Sequence, residues 1–125
     1  MNARQIESGA VPVGKWEVQI RKGCIELAIL AVLWSERLYG LEILRKLASD
    51  SAFIIPEGTV YPLLSRLKAE GLLSSEWVET EGGHPRKYYK LTPGGRRRAI
   101  EMFRFWSAFS ANIDRVLVPL RKAAR

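Results

Sequence analysis

The residue types that ordinarily catalyse reactions or hold metals are almost missing from this 125-residue chain. His84 is the only histidine and Cys24 the only cysteine. His84 sits in Gly82-Gly83-His84-Pro85, a turn signal from which no Ser-His-Asp set can be assembled. No cluster of His, Cys and acidic residues has metal-ligand spacing, and no glycine-rich phosphate loop is present. Neither an enzyme nor a cofactor is therefore expected. The groups left for chemistry are hydroxyls and cations. Thr59, Tyr61, Ser65, Arg66 and Lys68 recur along one short stretch, and Arg86, Lys87 and Lys90 follow the glycine-rich turn. Such groups donate hydrogen bonds, the basic ones charge-assisted, to anionic oxygens.

The charge balance points the same way. The formal net charge is +7, but from Arg86 onward eleven Lys or Arg face two acidic residues. The residues before Arg86 carry nine basic and eleven acidic groups. A basic half of this kind suits a polyanion, with nucleic acid ahead of an anionic membrane surface; the plain alternative is a solvated basic face. The length fits one domain, and 47% apolar with 26% charged residues fits a soluble globular protein. The longest apolar run, Leu27 to Trp34, is too short to span a bilayer. No charged-then-apolar leader opens the chain, so export is not expected. A single cysteine beside an apolar run excludes an internal disulfide and fits a reducing, cytoplasmic setting.

The two sets of donors need elements to hold them. In Glu57 to Gly71, Val60, Leu63, Leu64 and Leu67 recur at helical spacing, while Ser65, Arg66, Lys68 and Glu70 fall opposite. Thr59 as N-cap would make Pro62 the third helical residue, where a missing N–H costs nothing, and Gly71 is a natural stop. On pattern alone, an ordinary amphipathic surface helix remains the alternative. Upstream, Ile25, Ile29, Leu30, Val32 and Leu33 predict a mostly buried helix from about Lys15, extended backwards by Trp16 and Ile20 and weakened at Gly23. Ser35 to Leu38 reads as a connection. A second helix over Tyr39 to Ala48 would turn Leu41, Leu44 and Leu47 inward. In the loop from Ser49 to Pro56, Ile54 and Ile55 are expected to dip into the core.

Leu72 to Val78 and Arg86 to Leu91 read as two strands joined by the glycine-rich turn. Alternation lets Lys87 and Lys90 face different ways, and places one of Tyr88 and Tyr89 on the core and the other on the flank. Thr92-Pro93 then starts a last helix, expected to run to about Val118 before Pro119 ends or bends it. Three helices followed by a hairpin is the order of a winged helix-turn-helix. Its third helix enters the major groove of double-stranded DNA and its wing touches the backbone. Whether Arg66 and Lys68 reach phosphate or guanine stays open at this point.

These stretches also resemble a known family. Tyr39-Gly-Leu-Glu-Ile-Leu44, Glu57-Gly-Thr-Val-Tyr-Pro-Leu-Leu-Ser-Arg-Leu-Lys-Ala-Glu-Gly-Leu72 and Arg86-Lys-Tyr-Tyr-Lys-Leu-Thr92 closely resemble the PadR-like transcriptional regulators. The resemblance runs from about Gly23 to Arg98, and the single C-terminal helix is similar to that of the short subfamily. It implies a mainly α protein with a small β-hairpin: a winged helix-turn-helix over 15–92 and a dimerisation helix with its tail over 93–125. The stretch 1–14, which mixes Gly, Pro, Ser and Ala without periodicity, reads as a flexible arm and has no counterpart in the family. The resemblance implies a DNA-binding regulator, in several members a repressor released by phenolic acids or flat hydrophobic drugs. In the drug-binding members a tryptophan of the last helix lines a pore at the dimer interface, and Trp106 matches that position.

The last helix supports a dimer independently. Ala99, Met102, Trp106, Phe109, Ile113, Val116 and Leu120 follow alternating spacings of three and four, an unbroken heptad seam. Phe103, Phe105 and Leu117 widen it, and no other predicted helix is long enough to cover it. The homodimer interface is therefore expected at Met102, Trp106, Phe109, Ile113 and Val116, on a palindromic operator. Two readings stay open for Trp106: plain core, or one wall of a site for a flat aromatic or hydrophobic effector, with Phe103 beside it and the partner's Trp16, Ile20 and Cys24 opposite. The alternative to DNA binding is a winged-helix module that binds protein, for which the basic surplus has no use.

Overall fold

A computed structural model describes residues 14–49 and 55–124. Apart from Gly14, the expected N-terminal arm lies outside the described residues, as does Ile54. The first helix, α1 (Gly14–Val32), runs through Gly23 without a break and buries Ile25, Ile29 and Leu30. Its apolar spacing continues across the weak position, and that outweighs the cost of one glycine, about 1 kcal/mol. Leu38, expected in a connection, and Tyr39, expected to start the second helix, form a short strand, β1 (Leu38–Tyr39). Two residues are too few to show an alternating pattern, so only the sheet reveals them.

The second helix, α2 (Gly40–Ser49), buries Gly40, Ile43 and Leu47. Leu41, expected inward, is exposed. Gly40, Ile43 and Leu47 set the helical phase, and Leu41 stands about 100° away from that stripe. The carboxylate of Glu42 accepts the Tyr39 backbone N–H at 3.1 Å and closes the helix start, half of a capping box.

The third helix, α3 (Glu57–Ala69), starts two residues before the expected cap. Pro56, extended at φ −61° and ψ 146°, is the cap, and its carbonyl accepts the N–H of both Thr59 and Val60. Thr59 therefore lies inside the first turn and caps nothing. Pro62 becomes the sixth helical residue rather than the third, so the Gly58 carbonyl loses its usual partner on the exposed side. At the other end the Gly71 N–H reaches the Lys68 carbonyl, and the Leu72 N–H that of Leu67. This is a Schellman closure, with Gly71 left-handed at φ +78° and buried Leu67 and Leu72 as its apolar pair.

Two longer strands follow, β2 (Leu73–Val78) and β3 (Arg86–Leu91). All pairing is antiparallel in the order β1-β3-β2, with Leu38 opposite Tyr89 and Trp77 opposite Lys87. The expected hairpin is thus the larger part of a three-stranded sheet. The last long helix, α4 (Pro93–Val116), starts where expected: Thr92 Oγ1 accepts the Gly95 N–H at 3.0 Å. The same hydroxyl donates to the Gly71 carbonyl at 2.6 Å, and the Thr92 N–H to the Leu72 carbonyl at 3.1 Å. Leu117 interrupts the helix, and a short α5 (Val118–Ala123) follows with Pro119 in its first turn. The core gathers Ile29, Leu30, Leu33, Leu38, Ile43, Val60, Leu64 and Leu67, all fully buried. Ile55 packs against it as expected. Among the described residues no helix is long and apolar enough to cross a membrane.

Candidate nucleic-acid interface

With Val60, Leu64 and Leu67 inward, a turn of about 100° per residue divides the five candidates of α3 between two flanks. Tyr61, Ser65 and Lys68 share the flank toward the sheet. Thr59 and Arg66 share the flank toward α1. All five are exposed, and the strip between the flanks carries Gly58, Pro62 and Ala69. Small side chains there leave the helix backbone open to close approach along this strip.

The α1 flank is not free. Arg66 donates through Nη1 to Glu70 at 2.8 Å and through Nη2 to Glu26 at 3.1 Å. Those two carboxylates, Glu70 first, push its pKa further above the ordinary arginine value. Thr59 borders a small hollow of about 150 Å³ with Arg21 and Lys22 of α1. These two cations are visible in the sequence, but nothing there shows which element they would face.

The wing has two unlike faces. Lys87, Tyr89 and Leu91 point inward, and Arg86, Tyr88 and Lys90 outward, following the period of a strand. Tyr89 is buried and Tyr88 lies on the flank. On the outer face, Arg86 lies 4.5 Å over the Tyr39 ring, Tyr39 meets Tyr88 edge-on at 5.5 Å, and Arg37 lies 4.9 Å over Tyr88. Arg37 also pairs with Glu76. On the inner face, Lys87 Nζ sits 5.9 Å from the Trp77 ring and 5.7 Å from Tyr89. Trp77 is 68% exposed on this face, an aromatic that strand propensity alone did not single out for the site. His84 is exposed at the turn, where its carbonyl accepts from Thr80 Oγ1 at 2.8 Å.

Inner wing face and α3 meet in a slot of about 220 Å³ between Gly40, Tyr61, Trp77, Arg86 and Lys87. Tyr61 is held there because Gly40 lacks a side chain: a Cβ at Gly40 would lie 2.4 Å from the ring and 2.7 Å from the hydroxyl oxygen. The slot combines the Tyr61 hydroxyl and the Lys87 ammonium, backed by aromatic faces, with Arg86 at its edge. Such a set can hold the oxygens of a phosphodiester.

Away from this face, the seam of α4 is covered only at its start. Ala99 is buried and Met102 half-buried, whereas Trp106, Phe109, Ile113, Val116 and Leu120 are exposed. An apolar groove of about 410 Å³ runs between α1 and α4, walled by Ile20, Cys24, Leu27, Met102, Trp106 and Phe109. Phe105 joins it, stacked on Phe109 at 5.6 Å. Phe103 and Trp16 do not line this groove. Phe103 lies on another side of α4 with Ala31 and Trp34, and Trp16 is exposed near the start of α1.

Residues 29–101, more than half of the chain, match the Transcriptional regulator PadR-like family. The chain belongs to the PadR-like family. Regulation of transcription through DNA binding is the function its members share, and they are not enzymes. Among solved structures, this PadR-like chain is similar to a PadR-like transcription factor from Bacteroides fragilis, at 41% identity and a TM-score of 0.68, over 82% of this chain and 98% of that one. A PadR family regulator from Eggerthella lenta matches at 32% identity and a TM-score of 0.75, over 85% and 92% of the two chains. A transcriptional regulator of Mycobacterium tuberculosis is 34% identical over 89 residues, covering 66% of this chain and 81% of that protein.

Proposed function

We propose that this PadR-like regulator is a cytoplasmic repressor that grips a palindromic operator as a homodimer and releases it on binding a small aromatic or hydrophobic effector. The observation that carries the operator contact is the shared slot. The exposed strip of α3 and the inner wing face open on one side, and Tyr61, Lys87 and Trp77 line the gap between them. Tyr61, Ser65 and Lys68 reach the groove and Lys87 holds phosphate in the slot, with Thr59, Arg86 and Lys90 flanking. Dimerisation covers the bare seam. Burying one large apolar side chain is worth about 1.5–3 kcal/mol, so Trp106, Phe109, Ile113 and Val116 together favour a stable partner. The test is binding to random duplex across a salt series, followed by selection of bound sequences from random DNA. Affinity should fall with a slope of about −0.9 per neutralised phosphate, and selected sites should be palindromes with half-sites about one helical turn apart. Salt-insensitive binding, or none, would favour the protein-binding module instead.

Effector response rests on the groove between α1 and α4, whose walls are nearly all apolar and include Trp106. A planar guest would lie against the indole. Planar cationic dyes should quench tryptophan fluorescence in the wild type and not in Trp106→Ala. Unchanged quenching in that variant would place binding elsewhere, and no quenching across a broad panel would make the groove plain core.

A further inference from the structure

We propose that Glu26 is a positioning residue that fixes the angle of α3 against α4, and that Arg66 serves this link rather than DNA. Glu26 lies on α1 with its side chain only 18% exposed. Its Oε1 accepts from Arg66 of α3 at 3.1 Å, and its Oε2 from Arg98 of α4 at 3.2 Å. Glu70 completes a line of alternating charge from α3 through α1 to α4. Ion pairs whose guanidiniums are half exposed contribute little to stability, so this line of charges acts through geometry. The backbone of α3 lies closest to α2 and β2 rather than to α4. Its tie to α4 through Thr92 is made at one end, at Gly71 and Leu72. Val60, Leu64 and Leu67 seat α3 in the core, and a helix seated on one apolar stripe with a single tie to α4 can still rock about that stripe. The ion chain is a second, five residues earlier on α3, about 7.5 Å along its axis at 1.5 Å per residue. Two separated attachments fix an angle.

Because α4 carries the seam, that angle sets how two recognition helices stand in the dimer, a step that rests on the operator-binding reading above. Without the Glu26 charge, the two guanidiniums that shared one carboxylate repel each other, and α3 rocks on its buried stripe, tied to α4 only at Gly71 and Leu72. A different role for Arg66 gives the opposite sign. Were Arg66 a phosphate contact restrained by Glu26, freeing it would tighten binding to any duplex and steepen the salt slope by about one unit.

Glu26→Gln and Arg66→Gln are compared with wild type by three readouts, after thermal unfolding has shown that each folds. Amide hydrogen exchange on the free protein needs no DNA: both variants should speed exchange in α3 and leave α2 unchanged. Random-duplex affinity and salt slope should stay at the wild-type values. In a library of operators with varied half-site spacing, both should bind the wild-type optimum about fivefold more weakly, as residues that modulate coupling without touching the ligand do. They should also accept spacings one base pair away. The double variant should be no worse than either single one, since both cut the same chain. Unchanged exchange in α3 would overturn the proposal whatever happens with DNA. So would a slope steeper by about one in Glu26→Gln, a slope shallower by about one in Arg66→Gln, or an unaltered spacing profile. If the wild type ignores duplex DNA while exchange in α3 still rises, the operator reading fails and the positioning of α3 by Glu26 stands.

Discussion

Gly40→Ala separates the fold from the proposed interface. The added Cβ would lie 2.4 Å from Cε1 of Tyr61, 2.7 Å from its hydroxyl and 2.9 Å from Cζ. Ordinary carbon contacts lie at about 3.5–4.0 Å, so the ring edge must retreat by about 1.1–1.6 Å. Tyr61 is exposed and can swing outward. A rotation of less than about 30° costs roughly 1 kcal/mol or less. Against that stands the helical advantage of alanine over glycine, about 0.5–1 kcal/mol, and the Gly40 backbone is not left-handed. Stability should therefore move by less than about 1 kcal/mol. The hydroxyl, displaced by more than 1 Å or so, leaves the narrow O–H···O window of about 2.5–3.0 Å. A hydrogen bond to a charged acceptor is worth about 1.5–3 kcal/mol, so operator affinity should fall by roughly 10- to 150-fold. Thermal unfolding and an operator titration, run on the same samples, measure both. Wild-type affinity in Gly40→Ala, or equal further losses when it is added to Tyr61→Ala, would refute the placement of Tyr61 at the backbone.

Three further outcomes follow from the same geometry. Lys87→Gln should make the salt slope shallower by about 0.9, whereas Arg86→Gln should change it less, because that guanidinium is engaged 4.5 Å over the Tyr39 ring; a salt titration of each variant decides. Gly95→Ala should destabilise by about 1–3 kcal/mol, since its Cβ would come within 2.0 Å of the Leu72 carbonyl oxygen, a backbone atom that cannot swing aside; a melting temperature equal to wild type would contradict it. Burial, with Tyr61 adding to it, pushes the Tyr89 phenol above its ordinary pKa. The folded state then holds that proton more tightly than the unfolded chain. This stability is complete below about pH 10 and is lost as pH rises through the raised value. Denaturant titrations from pH 8 to 11 should show a smaller alkaline loss in Tyr89→Phe.

Periodicity made most of the fold legible. The spacing of Val60, Leu64 and Leu67 identifies α3, β3 falls on Arg86–Leu91, and Thr92-Pro93 marks the start of α4. What stayed hidden depends on contacts between distant segments. β1 exists because Leu38 and Tyr39 find Tyr89 and Tyr88 some fifty residues later, and a pair of residues carries no period of its own. α3 starts two residues before Thr59 because Pro56, with its fixed φ and extended ψ, does the task of a side-chain cap with a carbonyl alone. For the site, residue types were readable but flanks were not. Arg66 and Lys68 look equivalent two positions apart, yet the carboxylate that holds Arg66 stands forty residues earlier on α1. Gly40 gave no local signal either, since its reason is the Tyr61 ring twenty-one residues away.

On the reading proposed above, an effector would act on this fold through α4, on the side away from the face shared by α3 and the wing. The last buried residue of α4 is Ala99, and beyond Met102 its apolar seam runs on without cover from the described residues. A helix segment of that length is marginal in water by itself and takes its order from tertiary packing. On the dimer reading, that packing comes from the partner, so the far half of α4 and the partner's surface order one another. The near half is pinned to the recognition helix at Gly71, Leu72 and, through Glu26, at Arg66. A guest in the groove beside Trp106 would touch α1 within two residues of Glu26, at Cys24 and Leu27. It can weaken operator binding only by favouring an α1–α4 spacing that the DNA-bound dimer does not adopt. The groove and the ion chain lie on the same stretch of α1, so a small change in that spacing has a short covalent and ionic path to α3.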